Sequence, residues 1–365
     1  MDHARDPRYA ASGVDSAQAE VGLNRLRAWV EQTFSFHPTA RPALPLGYFA
    51  NIIRLDAFNL GIGITTDGVG TKLLVAELLG KYDTVGIDCI AMNVNDLLCV
   101  GATPISFVDY VAVESLQPDV LDALGQGLHH GAEQARVNIA GGEIAQLREM
   151  VHGVRDGVGL DLAGTAIGTV PLDRIIIGKE VEPGDTLIGL ASSGIHSNGL
   201  TLARQALFKD ARLKVDSYLQ ELGRTVGEEL LEPTHIYVPE ITAMFAADVQ
   251  LKALIHITGD GFFNLTRTAA AVGYHIHTLP PPPPLFTLLQ DVGRITDAEM
   301  YQVYNMGIGF CVVVAEAEAE RVMQIADDHG VQAWRLGTTV ASPERTIIIE
   351  PRNLKGTAGR FGPLE

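Results

Sequence analysis

The segment DTVGIDCIAMNVNDLLCVGA, residues 83–102, restricts the fold more than any other stretch. Ile87, Ile90, Ala91, Val94, Leu97 and Leu98 recur at helical spacing and form a stripe that must be buried. Gly101 is placed to end the helix. Asp88 and Asn95 are seven residues apart and share a face, while Asp96 is turned about 100° from Asn95. A carboxylate near a helix C-terminus meets an unfavourable dipole, which a cation would relieve. The apolar stripe needs a covering layer, and strand-like runs flank it. GIGITTD ends on Asp67, and ISFVDYVAVE follows the helix.

The same alternation runs through the chain. Residues 14–34 have helical spacing, with Ala19, Leu23, Leu26, Val30 and Phe34 on one face. DVLDALGQGLHHGAEQARV predicts a helix, NIAGGEIA a short strand ending in a Gly-Gly-Glu loop, and LDLAGTAIGTV a strand. A boundary falls near Pro171–Pro183. Beyond it, DTLIGLASSG, GIGFCVVVAE and AWRLGTTV predict strands. NGLTLARQAL, DAEMYQVYNM and EAERVMQIADDHG predict helices, the first capped by Ser197 or Asn198. The proline run at 280–284 predicts loop or polyproline II. The class is α/β or α+β, with domains at 1–172 and 173–345 and a mobile tail at 346–365.

A net charge of −17 disfavours nucleic acid and anionic membranes as partners. A small phosphorylated ligand remains compatible, because a metal ion can carry the local positive charge. Cys89, Cys99 and Cys311 show no CxxC spacing, which suits a reducing compartment. No apolar run approaches the roughly 18 residues of a membrane span, and the first residues lack a signal-peptide core. The expectation is a soluble cytoplasmic protein.

Carboxylates stand beside glycines repeatedly. Asp67-Gly68-Val69-Gly70-Thr71-Lys72 places an acid at a strand end, then two glycines, then a lysine. Glycine admits close approach of a ligand to the backbone. Carboxylates can hold Mg²⁺ together with substrate phosphates, and lysine suits phosphate. The plain alternative, a strand-to-helix turn with a solvated lysine, is equally common for one such loop. Asp96, Gly141-Gly142-Glu143 and Asp161 repeat the pattern. Together they suggest carboxylates converging on metal that bridges nucleotide phosphates. His196, in SSGIHSNG, would be neutral near a helix N-terminus, although a lone histidine there is more often merely exposed. HITGDG, with His256, Thr258 and Gly259, is a further anion loop. His129 and His130 read as a solvated face, and His235 carries no signal.

These blocks, with LLEPTHIYV and EMYQVYNMGIG, resemble the phosphoribosylformylglycinamidine cyclo-ligase (aminoimidazole ribonucleotide synthetase) family, in the family's order over roughly residues 8–345. The resemblance implies two α/β domains, dimerisation through N-terminal strands, and ATP with Mg²⁺. It implies phosphorylation of a formyl amide oxygen, followed by ring closure. By motif, Asp67, Asp96, Glu143 and Asp161 would hold metal. Asp67, Gly68, Gly70, Thr71, Lys72, Asn95, Gly141, Gly142 and Glu143 would line the nucleotide. Ser193, His196, Ser197, Asn198, His256, Thr258 and Gly259 would meet the phosphorylated substrate. His196, Asp96 and Lys72 would be catalytic.

Three stretches depart from the family pattern. LPLGYFANIIRL stands where a Gly-rich loop is usual, residues 144–161 lack a Pro and a Tyr, and Asp260 puts a negative charge in the HITG loop. They keep two alternatives open: a paralogue that phosphorylates another acceptor, and a non-catalytic nucleotide-binding regulator. Other members of the wider superfamily fit less well. The selenophosphate synthetase pattern wants a cysteine near the N-terminus, and the hydrogenase maturation factor wants one at the C-terminus.

Overall fold

The structure, a computed structural model, describes residues 16–364. The first two residues of the helix expected at 14–34, and the side chain of Ala19, lie outside the described residues. That helix runs from Ser16 to Val30 and tightens into a 3-10 turn at Glu31–Ser35. Leu23 and Leu26 on its apolar face are at least half exposed.

The first sheet has six strands: β1 (Arg41–Pro42), β2 (Asn51–Leu55), β3 (Leu60–Gly68), β4 (Thr103–Val113), β5 (Asn138–Gln146) and β6 (Leu160–Pro171). Their order is β1-β2-β3-β6-β4-β5, and only the β4–β5 pair is parallel. A parallel pair needs a crossover, and the Pro118–Ala135 helix provides it. That helix packs against the Val85–Leu98 helix, which lies on the sheet over β3 and β6. Gly86 permits the contact: a Cβ there would stand 2.3 Å from the Leu128 nitrogen. Gly101 adopts φ +79° just beyond the helix, as a stop requires.

The Val85–Leu98 helix is buried far beyond its apolar stripe. Asp88, Asn93 and Asn95 are also fully buried. Such groups need partners: Asn93 donates to the carbonyls of Asp67 and Cys89, while the second half of the chain supplies those of Asn95 and, together with Lys72, those of Asp88.

That half begins with β7 (Thr186–Ala191), passes a small hairpin of β8 (Tyr218–Leu219) and β9 (Arg224–Thr225), and continues through β10 (Leu251–His256), β11 (Val272–Ile276), β12 (Ile308–Val314) and β13 (Ala333–Ala341). The expected tail at 346–365 is, over its described residues 346–364, not mobile. β14 (Ile347–Ile349), β15 (Leu354–Thr357) and β16 (Arg360–Pro363) extend the second sheet, in the order β10-β12-β7-β13-β11-β14-β15-β16. Phe361 is buried against Phe263, with ring centroids 4.5 Å apart.

Two further expectations change. Gly141-Gly142-Glu143 is not a loop: it lies inside β5, paired with Val108, Asp109 and Tyr110 of β4. The short helix after SSGIHSNG starts at Leu200, and Gly199 occupies its cap position at φ +74°. Neither Ser197 nor Asn198 caps it. Ser197 Oγ instead lies 3.2 Å from Thr234 Oγ1.

Candidate active site

The site is built where the Val85–Leu98 helix meets the second domain. β3 delivers Asp67 at its end. In the sheet, Asp67 pairs with Gly164, Gly164 with Asp109, and Asp109 with Gly142. Laterally paired residues share a face, and this row points to the helix-covered side. A Cβ at Gly164 would strike the Phe107 ring, and one at Gly142 would stand 2.6 Å from Asp109 Oδ1. Gly164 therefore makes room for Phe107, and Gly142 for Asp109, a carboxylate the sequence did not single out. Burial raises its pKa.

Asp67 accepts a hydrogen bond from its neighbour's backbone, Gly68 N to Oδ1, 2.7 Å. Its pKa is raised, first by burial and then by the charge of Asp96. Asp96 Oδ1 lies 2.9 Å from Nδ1 of His256, which is fully buried at the end of β10. One oxygen of each carboxylate is thus engaged, and among the described residues no hydrogen bond takes the other. Two partly buried, mutually repelling carboxylates with spare oxygens are a hard-donor pair that fits Mg²⁺ shared with phosphate.

The other two carboxylates expected at the metal are not brought to this pair. Glu143 pairs with Tyr110 and Asp161 with Ala112, in the rows that face the opposite, uncovered side of the sheet. Among the described residues, no group of three or more His, Cys, Asp or Glu is placed to hold a metal.

Lys72 is also placed differently from the expectation. It is fully buried, with Nζ 2.9 Å from Asp88 Oδ1 and 2.6 Å from the carbonyl of Glu232. Burial lowers its pKa and Asp88 opposes that shift. Thr71 Oγ1 meets Thr201 Oγ1 at 3.0 Å. Asn95 donates to the carbonyl of His235 (2.9 Å) and accepts from Tyr237 N (3.0 Å). The face shared by Asp88 and Asn95 is therefore the seam between domains. Thr234 and Tyr237, which complete it, lie in LLEPTHIYV; nothing in their spacing announced a role.

On the second domain, Ser193 Oγ donates to the Pro233 carbonyl. His196 is buried at φ +62°, with Nδ1 lacking a partner and Nε2 accepting weakly from Ser193 N at 3.4 Å. Its pKa falls well below the usual value, chiefly through burial. Its ring edge faces Tyr237, whose hydroxyl donates to the Ala191 carbonyl at 2.7 Å. Asn198 Nδ2 reaches Met92 Sδ at 3.9 Å, and Asn198 Oδ1 would meet a Cβ at Gly259 at 3.3 Å. Thr258 N donates to Asn264. Met92, Asn198 and the His256–Gly259 loop thus stand together beside Asp96.

Asp260 is not a bare charge: Arg267 pairs with it at 2.5 Å and lies 5.0 Å over the Phe49 ring. Phe49 belongs to LPLGYFANIIRL, so Arg267 bridges two of the departing stretches. The third, between β5 and β6, is tied to Glu77 through Val154 N (2.7 Å) and Arg155, which donates to the Glu77 carbonyl (3.0 Å).

Two family models match the chain: AIR synthase related protein, N-terminal domain, over residues 50–170, and the corresponding C-terminal domain over residues 182–350. The chain belongs to the AIR synthase related family. It is 45% identical over 321 residues to a phosphoribosylformylglycinamidine cyclo-ligase of Methanobrevibacter smithii, covering 88% of this chain and 91% of the relative. A protein of the same name from Methanococcus maripaludis is 42% identical over 354 residues, covering 95% and 98%. Thiamine-monophosphate kinase from Stenotrophomonas maltophilia shares the fold, with a TM-score of 0.59 and 18% identity over 87% of this chain and 94% of that one. Like its cyclo-ligase relatives, this member of the family is an enzyme. No helix among the described residues is long and apolar enough to cross a membrane.

Proposed function

We propose that the chain catalyses ATP-dependent closure of the imidazole ring of aminoimidazole ribonucleotide from formylglycinamidine ribonucleotide, a step of purine biosynthesis, in the cytoplasm. The observation that carries this reading is the Asp67–Asp96 pair, set at the domain seam of a chain 42–46% identical to cyclo-ligases over most of its length. In the reaction, the γ-phosphoryl group passes to the formyl amide oxygen and ADP leaves. An amidine nitrogen then attacks the same carbon, the C–O bond breaks, and phosphate departs. An amide oxygen is a poor leaving group and its phosphate ester a good one, so the chain's task is positioning and charge management.

Asp67 and Asp96 are the residues that would hold Mg²⁺, whose charge offsets that of the nucleotide phosphates. His256 fixes the orientation of Asp96. Asn198, Thr258 and Gly259 lie on the second-domain side beside His256 and suit the substrate side. His196, held neutral by burial, orders the loop that carries Asn198. Arg267 answers Asp260, so this departure adds no net repulsion toward a phosphate.

The reading includes a homodimer. The uncovered face of the first sheet exposes Ile64 (36%), Val108 (38%) and Tyr110 (42%), an apolar surface that a second copy would cover. The test is to mix protein, Mg-ATP and formylglycinamidine ribonucleotide, and to follow ADP and aminoimidazole ribonucleotide. Both are expected in equal amounts. ADP without the imidazole would mean phosphoryl transfer without ring closure; Mg²⁺-dependent ATP binding without ADP would mean a different acceptor or a regulator.

A further inference from the structure

We infer that Lys72 is a positioning residue: it clamps the two domains through Asp88 and so sets Asp96 against His256. The geometry is specific. Lys72 ends the Gly70–Lys72 turn that follows Asp67. Its ammonium holds Asp88 on the central helix and the Glu232 carbonyl of the second domain at once. Asp88 Oδ1 also accepts from Thr234 N (2.7 Å) and Thr234 Oγ1 (2.6 Å). Residues 232–237 are thereby laid along the helix from Asp88 to Asn95, where His235 and Tyr237 are bonded in turn. Asp96 is the next residue, and it reaches across the same seam to His256.

A phosphate contact would require the ammonium to leave both partners and full burial. Its loss would strand Asp88, whose second oxygen already lacks a partner. A buried carboxylate without its cation is costly, and the cheapest escape is for the 232–237 segment to part from the helix. Asp96 and His256 would then lose register. The inference rests on the proposed ATP-dependent activity, and its test can fail separately from that proposal.

The experiment compares Lys72→Met with Lys72→Met/Asp88→Asn. In each, thermal unfolding, calorimetric Mg-ATP affinity, and the kcat and KM of ring closure are measured. The single variant is expected to lose kcat on the order of 100-fold, the scale of an ångström-level misplacement, and to bind Mg-ATP more weakly because Asp96 is displaced, and the double variant is expected to recover that affinity. Removing the stranded charge should restore kcat to within about tenfold of wild type. Loss of Mg-ATP affinity in both variants would overturn the inference in favour of a direct phosphate contact. A lowered unfolding temperature with unchanged kcat would also overturn it, by reducing Lys72 to a purely structural role. If the single variant does not fold, the Mg-ATP affinity of the double variant decides: affinity kept is the expected result, and affinity lost overturns the inference. Wild-type protein that fails to bind Mg-ATP would sink the functional proposal, and with it the positioning role, while the unfolding data would still report on the ion pair.

Discussion

Asp88 and Asp96 lie on one helix and differ in everything around them. Asp88 is fully buried, and one oxygen receives a lysine, a threonine hydroxyl and a backbone amide. Asp96 retains 14% side-chain exposure, touches one histidine, and sits near enough to Asp67 to raise that residue's pKa. A carboxylate whose charge is matched inside the protein is structural. One that is crowded by a second carboxylate, with oxygen to spare, is poised for a cation from outside. The central helix thus has a seam end and a site end.

Variants that remove one end should separate the two. Asp96→Ala is expected to lower ring-closure turnover on the order of 1,000-fold while unfolding at nearly the wild-type temperature. Full activity would remove Asp96 from the site. Asp88→Ala should instead cost about 3–5 kcal/mol of stability in urea unfolding, because it leaves Lys72 buried and unpaired. A loss within surface-mutation range would show that the seam relaxes freely.

The two faces of the first sheet extend the contrast. One is sealed by helices and the other is bare. In the proposed homodimer, Val108→Asp on the bare face would place like charges across the two-fold axis and is expected to weaken self-association on the order of 100-fold in Kd. Sedimentation identical to wild type would move the interface elsewhere.

The smallest effect concerns His196. Its folded pKa lies below the unfolded value of about 6.5, so below that pH the unfolded chain binds the extra proton. Stability is therefore lost as pH falls from about 6.5 toward the folded pKa, by up to about 1.4 kcal/mol per pH unit. Asn tolerates the left-handed backbone at this position, so His196→Asn should flatten the acid limb of an unfolding-versus-pH curve. An unchanged slope would assign that limb to other groups.

Much of this was legible in the sequence, and for stated reasons. The apolar stripe of residues 87–98 and the alternating strands depend on local periodicity. So does the shared face of Asp88 and Asn95, although its partner is the second domain rather than the nucleotide expected at Asn95. What stayed hidden depends on distant residues. Lys72 read as a phosphate lysine because Glu232, which fixes it, is 160 residues away. The Gly-Gly-Glu run read as a loop because glycine is a poor strand former; pairing with β4 and the close approach of Asp109 hold it in a sheet. Residues 346–365 read as a tail because their strands are three or four residues long and only their partners define them. Glu143 and Asp161 matched the glycine-carboxylate pattern, but strand alternation, a period of two, turned them to the other face.

The most direct measurement is a calorimetric titration of ATP, with and without Mg²⁺, into wild-type protein and Asp96→Asn. This substitution keeps the shape of the side chain and removes its charge. Mg²⁺-dependent binding by wild type, weakened on the order of 100-fold in the variant, is the predicted result. Equal affinity in the two proteins would contradict the account, because the site end of the helix would then have no part in holding the nucleotide.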